Sequence, residues 1–109
     1  MSLNFNPEFK DLIINEQKIQ TIRKGDKRNY YQVNNIIDLT IYHICFCEAE
    51  IIEVYLIERN EFPTFDDQFI SDEGFTDANE FLVKVNEIYP DIDPLSDQIF
   101  TVIKWRIIK

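Results

Sequence analysis

The run from Ile99 to Ile108 constrains this chain more than any other segment. At the period-two spacing of a strand, Phe100, Val102 and Ile108 fall on one side and Ile99, Ile103, Trp105 and Ile107 on the other. Both sides are apolar in part. A strand with one wet face alternates cleanly, so this pattern predicts a central or barrel strand covered on both faces. A length of 109 residues is one domain's worth, and it is long enough to bury a core without metal or disulfide staples.

The rest of the chain supplies the partners of that strand. Asn6 as cap, Pro7 at the first helical position and Phe9, Leu12 and Ile13 on one face predict a short N-terminal helix, ended by a turn at Asn15-Glu16. Met1-Ser2-Leu3 carries no pattern and is assigned no structural part. A short strand is expected around Lys18 to Arg23, then a charged, mobile loop over Lys24 to Asn29. Tyr30, Tyr31 and Val33 lead into a turn at Asn34-Asn35. Strands are expected from Ile36 to Phe46 and from Ala49 to Glu58, with a turn over Arg59 to Pro63. Thr64 to Gly74 is acidic, part helix and part loop.

The clearest helix runs from Ala78 to Tyr89, with Ala78, Phe81, Leu82, Val85 and Ile88 as its apolar stripe. Asp77 with Glu80 forms the cap, Pro90 is the stop, and Asp91 to Asp97 is a loop. A run of strands with a late helix reads as α+β rather than alternating α/β. No repeat or linker divides residues 1–109, so a single domain is expected.

With 20 acidic and 11 basic residues, the formal net charge is -9. A chain this acidic is repelled by a long polyanion and gains little from counterion release. It suits a small or weakly charged ligand, or the charge serves solubility alone. Only two glycines are present, so many turns must use Asn and Asp. Cys45 and Cys47 are the only cysteines, and next-but-one positions on a strand rarely meet disulfide geometry. No signal peptide or long apolar run is visible, and a reduced, cytoplasmic protein away from the membrane is expected.

One segment can carry chemistry: Lys18-Ile19-Gln20-Thr21-Ile22-Arg23. On a strand, Thr21 and Arg23 point the same way, and Lys18 at the entrance can curl toward the same mouth. An ammonium, a hydroxyl and a guanidinium together suit an oxyanion, a carbonyl or a phosphate. The same residues also fit a solvated edge with a β-favouring Thr. His43, the sole histidine, lies on an apolar parity and reads as a core or barrel residue. With Cys45 and Cys47 it lacks a fourth ligand for zinc, and no metal site is expected. Asp66, Asp67, Asp72 and Glu73 lack EF-hand spacing. Trp105 and the phenylalanines read as core. Tyr30, Tyr31 and Tyr42 can stack on a base or pack at the rim.

The pattern Lys18-x-x-Thr21-Ile22-Arg23 just after an N-terminal helix resembles the signature of ASCH domains, in the PUA-like superfamily. Tyr31 to Leu39 sits where those domains have a turn entering a long strand. Asp72-Glu73-Gly74-Phe75-Thr76 and the helix ending at Ile88-Tyr89-Pro90 are similar to the family's acidic loop and helix. Phe100-Thr101-Val102-Ile103 matches its last strand. The resemblance runs from about Phe5 to Ile107. It implies a small mixed β-barrel flanked by the N-terminal helix and the helix near 78–89. Three departures stand out: Asn15-Glu16-Gln17 replaces a Gly, Ile19 replaces a Thr in the cleft wall, and Asn34-Asn35 replaces a Gly-Asp turn.

Within that family, small bacterial N-acetylcytidine amidohydrolases use a Lys, a Thr and a Glu. The resemblance places these at Lys18, Thr21 and Glu73, with Arg23, Gln20 and Tyr31 as substrate contacts and no cofactor. The chemistry is coherent: a Thr hydroxyl needs a base, a desolvated Lys supplies one, and a Glu orients it or protonates the leaving amine. Arg23 or a backbone amide would stabilise the oxyanion. The alternative is a non-enzymatic RNA- or nucleotide-binding module using Lys18, Arg23, Lys24, Lys27 and Arg28. A third reading is an altered, inactive cleft.

Overall fold

In chain order the computed structural model, which describes residues 1–109, contains β1 (Ser2–Phe5), a 3-10 turn (Pro7–Phe9) running into α1 (Lys10–Ile14), β2 (Gln20–Lys24), β3 (Ile36–Ile41) and β4 (Ile44–Glu58). A 3-10 segment (Arg59–Thr64), α2 (Asp67–Asp72), α3 (Ala78–Ile88) and β5 (Ile99–Ile107) complete it. The strands make one sheet in the order β1-β3-β4-β5-β2. Only the β1–β3 pair is parallel, so the sheet is mixed and the fold α+β.

The expectation of a strand covered on both faces is met by β5. Ile103 and Trp105 enter a core inside the curl of the sheet, with Leu3, Phe5, Leu39 and Ile51. Phe100 and Val102 enter a second core under the helices, with Phe62, Ile70, Phe81 and Val85. Apolar residues on both parities of one strand therefore feed two separate cores.

Curvature comes from β4. Its register slips between Ile51 and Glu53 against β5, and again opposite Leu39/Thr40 of β3. Each bulge adds a residue and a local twist, which rolls the sheet into a half-barrel. It also resets the parity: Ile51 faces Trp105, yet Val54 rather than Glu53 faces Ile103.

Two boundaries differ from expectation. Ser2–Phe5 is a strand, not an inert terminus; it pairs with Asp38–Ile41, and Leu3 is 1% exposed. The strand expected from Ile36 to Phe46 breaks at Tyr42-His43, where both residues have positive φ, 52° and 62°. That is the two-residue hairpin geometry usually given to Asn-Gly, and neither residue advertises it. His43 is consequently exposed in a turn rather than in the core. Its N–H donates to Asn4 Oδ1 at 2.9 Å, which also accepts from Thr40 Oγ1 at 2.8 Å.

Asp77 caps α3 by accepting from the Glu80 N–H at 2.8 Å, and Asn34 takes φ 76°, whereas Asn6 precedes its 3-10 turn without a side-chain cap hydrogen bond. The Lys24–Asn29 loop is pinned at its start: Thr101 Oγ1 donates to Gly25 O at 2.6 Å and accepts from Lys27 N at 2.8 Å. No helix is long and apolar enough to cross a membrane.

Candidate active site

After α1 the chain reverses through Glu16 at φ 58°, and the Gln17 and Lys18 N–H groups both donate to Leu12 O. This delivers Lys18 to the start of β2, where the residue is 3% exposed. The Ile19 N–H donates to Asp72 O at 2.9 Å, which ties the entrance of β2 to the end of α2. Glu73 caps that end and is also 3% exposed. Gly74 follows at φ +93°. A Cβ built there would lie 3.0 Å from Lys18 Cβ, so both its backbone and its lack of a side chain are needed.

Lys18 Nζ donates to the Glu73 backbone carbonyl at 2.8 Å and lies 3.5 Å from Glu73 Oε2. The ammonium also stands 4.9 Å from the Phe9 ring centre. Gln20 Nε2 donates to Glu73 Oε1 at 3.1 Å. Burial pushes the Lys18 ammonium below the usual lysine range, opposed by the Glu73 charge. Burial raises the Glu73 carboxyl, opposed by Lys18 and by the Gln20 hydrogen bond. Burial thus moves each partner toward its neutral form, while each partner's charge opposes the shift of the other.

Lys18, Thr21, Arg23 and Glu73 line one cleft of about 190 Å³. Thr21 is 7% exposed. Arg23 Nη2 donates to Asn4 O at 2.8 Å, and its guanidinium carbon lies 5.1 Å from the Phe5 ring centre. Phe5, Phe9, Phe75 and Tyr89 supply aromatic wall, and Asn4 and Asn6 add polar groups. Lys84, paired with Glu8 and Glu87, also lines the cleft. The space is smaller than the roughly 300–1,000 Å³ of drug-sized sites, and fits a small ring with a short substituent.

Two expected ligand contacts lie elsewhere. Gln20 does not line the cleft; its buried amide is taken up by Glu73, to which it donates. Tyr31 is held at the start of β1, where its hydroxyl donates to Ser2 O at 2.9 Å and its ring packs on the inner core. Asn4, Asn6, Phe9, Phe75, Lys84 and Tyr89 were not anticipated as wall residues. They belong to segments distant in sequence, and no spacing rule links them.

Clusters of His, Cys, Asp and Glu placed to hold a metal are absent, and Cys45 and Cys47 are free thiols.

No family model matches the sequence, and no curated protein matches it. Solved structures do. An ASCH domain from Lactobacillus crispatus is 17% identical, with the match covering 97% of this chain and 77% of that one, at a TM-score of 0.65. This chain has the ASCH-domain fold. An ASCH protein from Zymomonas mobilis is 12% identical, covering 99% of this chain and 73% of that one, at a TM-score of 0.63. A protein from Pyrococcus furiosus, solved in solution, is 13% identical, covering 99% and 96%, at 0.65. At these identities the likeness concerns the ASCH fold alone, and what the cleft does must be argued from its own residues.

Proposed function

We propose that this ASCH-fold protein is an amidohydrolase that removes an acyl group from a modified nucleoside-like amide such as N-acetylcytidine. The observation that carries the reading is the buried contact between Lys18 and Glu73, residues 55 apart in sequence, in the wall of a cleft that also contains Thr21. A buried ionisable pair with both members displaced toward neutrality, inside a cleft, is the arrangement acid–base chemistry uses.

In this mechanism neutral Lys18 takes the Thr21 hydroxyl proton as Oγ1 attacks the amide carbonyl carbon. Arg23 stabilises the negative charge on the carbonyl oxygen. The C–N bond breaks as the amine nitrogen receives a proton from the carboxyl of Glu73, leaving an acyl ester on Thr21. Water then adds to the ester with the acid and base roles reversed, releasing the free acid and restoring Thr21. The aromatic walls favour a flat heteroaromatic ring over an aliphatic amide.

The RNA-binding alternative receives less support. Of its basic groups, Lys18 is buried against Glu73 and Arg28 is paired with Asp26 at 2.7 Å. The test is hydrolysis of N-acetylcytidine, followed as release of cytidine and acetate. Turnover by wild type that is lost in Lys18→Ala supports the hydrolase. No turnover, together with salt-sensitive RNA binding that weakens in Arg23→Ala, would replace it with the binding module.

A further inference from the structure

We propose that Gln20 is a positioning residue that divides the two Glu73 oxygens between different tasks, locking Oε1 and leaving Oε2 for proton transfer; its kinetic part rests on the hydrolase reading. The Gln20 amide turns its NH2 toward Glu73 and donates to Oε1 at 3.1 Å, so Oε1 is held as an acceptor in either protonation state of the carboxyl and the proton falls to Oε2. Gln20 is 2% exposed and outside the cleft wall, so no ligand in the cleft competes for that bond. The short contact from Lys18 Nζ goes to the Glu73 backbone carbonyl at 2.8 Å, while Oε2 lies 3.5 Å away. Oε2 is therefore the oxygen less committed to the protein.

The lock has its own anchorage. Gln20 pairs across the sheet with Lys104, whose Nζ reaches Asp72 Oδ2 at 3.2 Å. Gln68 Nε2 holds Asp72 Oδ1 at 2.8 Å, and the Asp72 carbonyl accepts the Ile19 N–H at 2.9 Å. Ile19 thus fixes the backbone ahead of Glu73 while its neighbour Gln20 fixes the side chain. The terminal torsion of a Glu is broad, and without Gln20 only the longer 3.5 Å contact of Lys18 Nζ with Oε2 would orient the carboxyl.

The variant Gln20→Met keeps length and removes the donor. The Glu73 carboxyl is titrated by carbon-13 NMR in wild type and variant. The lock predicts that it titrates at higher pH in the variant, because a hydrogen bond favouring the charged form is gone. With N-acetylcytidine, kcat falls roughly tenfold at unchanged KM, and the pH profile of kcat moves with the carboxyl. An unchanged titration overturns the lock. A shifted titration with unchanged kcat and pH profile overturns the positioning role. If wild type turns over nothing, the hydrolase reading fails and the titration alone decides the lock. Should Gln20→Met not fold, Gln20→Asn, whose shorter amide cannot reach Oε1, is titrated in its place with the same expectations.

Discussion

Arg23 on β2 donates from Nη2 to the backbone carbonyl of Asn4 on β1 at 2.8 Å, and those two strands are the open edges of the sheet. One side chain therefore spans the seam that backbone pairing leaves unclosed, while lining the cleft. Arg23→Ala should lower the free energy of unfolding by about 2 kcal/mol, the range for a hydrogen bond from a charged donor. Arg23→Lys should recover part of this, since the charge returns without the planar fork. Urea unfolding of the two variants checks it, and equal losses in both would show that charge contributes nothing at the seam.

Gly74 and Gly25 make a matched pair. Both have positive φ, +93° and +89°, but a Cβ at Gly74 meets Lys18 at 3.0 Å whereas one at Gly25 meets nothing within 4 Å. Gly25→Ala should cost about 1 kcal/mol, the left-handed penalty alone. Gly74→Ala should cost about 1–3 kcal/mol more for overpacking. Thermal unfolding of both variants would reveal the difference, and a smaller loss at Gly74 would contradict the close approach of Lys18.

The buried carboxyl makes a pH prediction with a definite sign. Glu73 is raised above its ordinary 4.5, so its contribution to stability is present below that pH and lost as pH rises through the folded value. Lys18 is lowered from 10.5, so its contribution is present above that pH and lost as pH falls through the folded value. Between acid and neutral pH, the slope of stability against pH should turn less negative, or more positive, in Glu73→Gln. Denaturant titrations across that range test it, and an identical slope in wild type would place the carboxyl in solvent.

The Tyr42-His43 turn holds two side-chain-bearing residues at positive φ. Replacing the pair by Asn-Gly, which that turn prefers, should stabilise the protein by about 1 kcal/mol. A rise in Tm is expected, and a fall would mean that the exposed Tyr42 or His43 side chain makes a contribution the backbone geometry does not reveal.

These positions also mark where sequence reasoning ends. The two-sided character of β5 was legible because both parities of Ile99–Ile107 are apolar, and α3 because Asp77, Glu80 and the Phe81/Val85 spacing agree. β1 was not legible: four residues are too short for a period, and its partner lies 36 positions away at Asp38. The bulges of β4 defeat alternation by resetting parity at Ile52. In the cleft, local spacing allowed Lys18, Thr21 and Arg23 to converge but fitted a solvated edge as well; all three line the cleft. The meeting of Lys18 with Glu73 was implied only by family resemblance, because a contact across 55 residues leaves no local trace. Gln20, expected as a substrate contact, is instead bonded to Glu73, and no local spacing foretells a partner 53 residues away.

If Thr21 Oγ1 is the nucleophile of the proposed amide hydrolysis, Thr21→Val removes the attacking group, since valine keeps the β-branched shape without the hydroxyl. Hydrolysis of N-acetylcytidine should fall by about 10²-fold or more in Thr21→Val, while Thr21→Ser retains measurable turnover. Turnover by Thr21→Val at the wild-type rate would rule out Thr21 as the nucleophile.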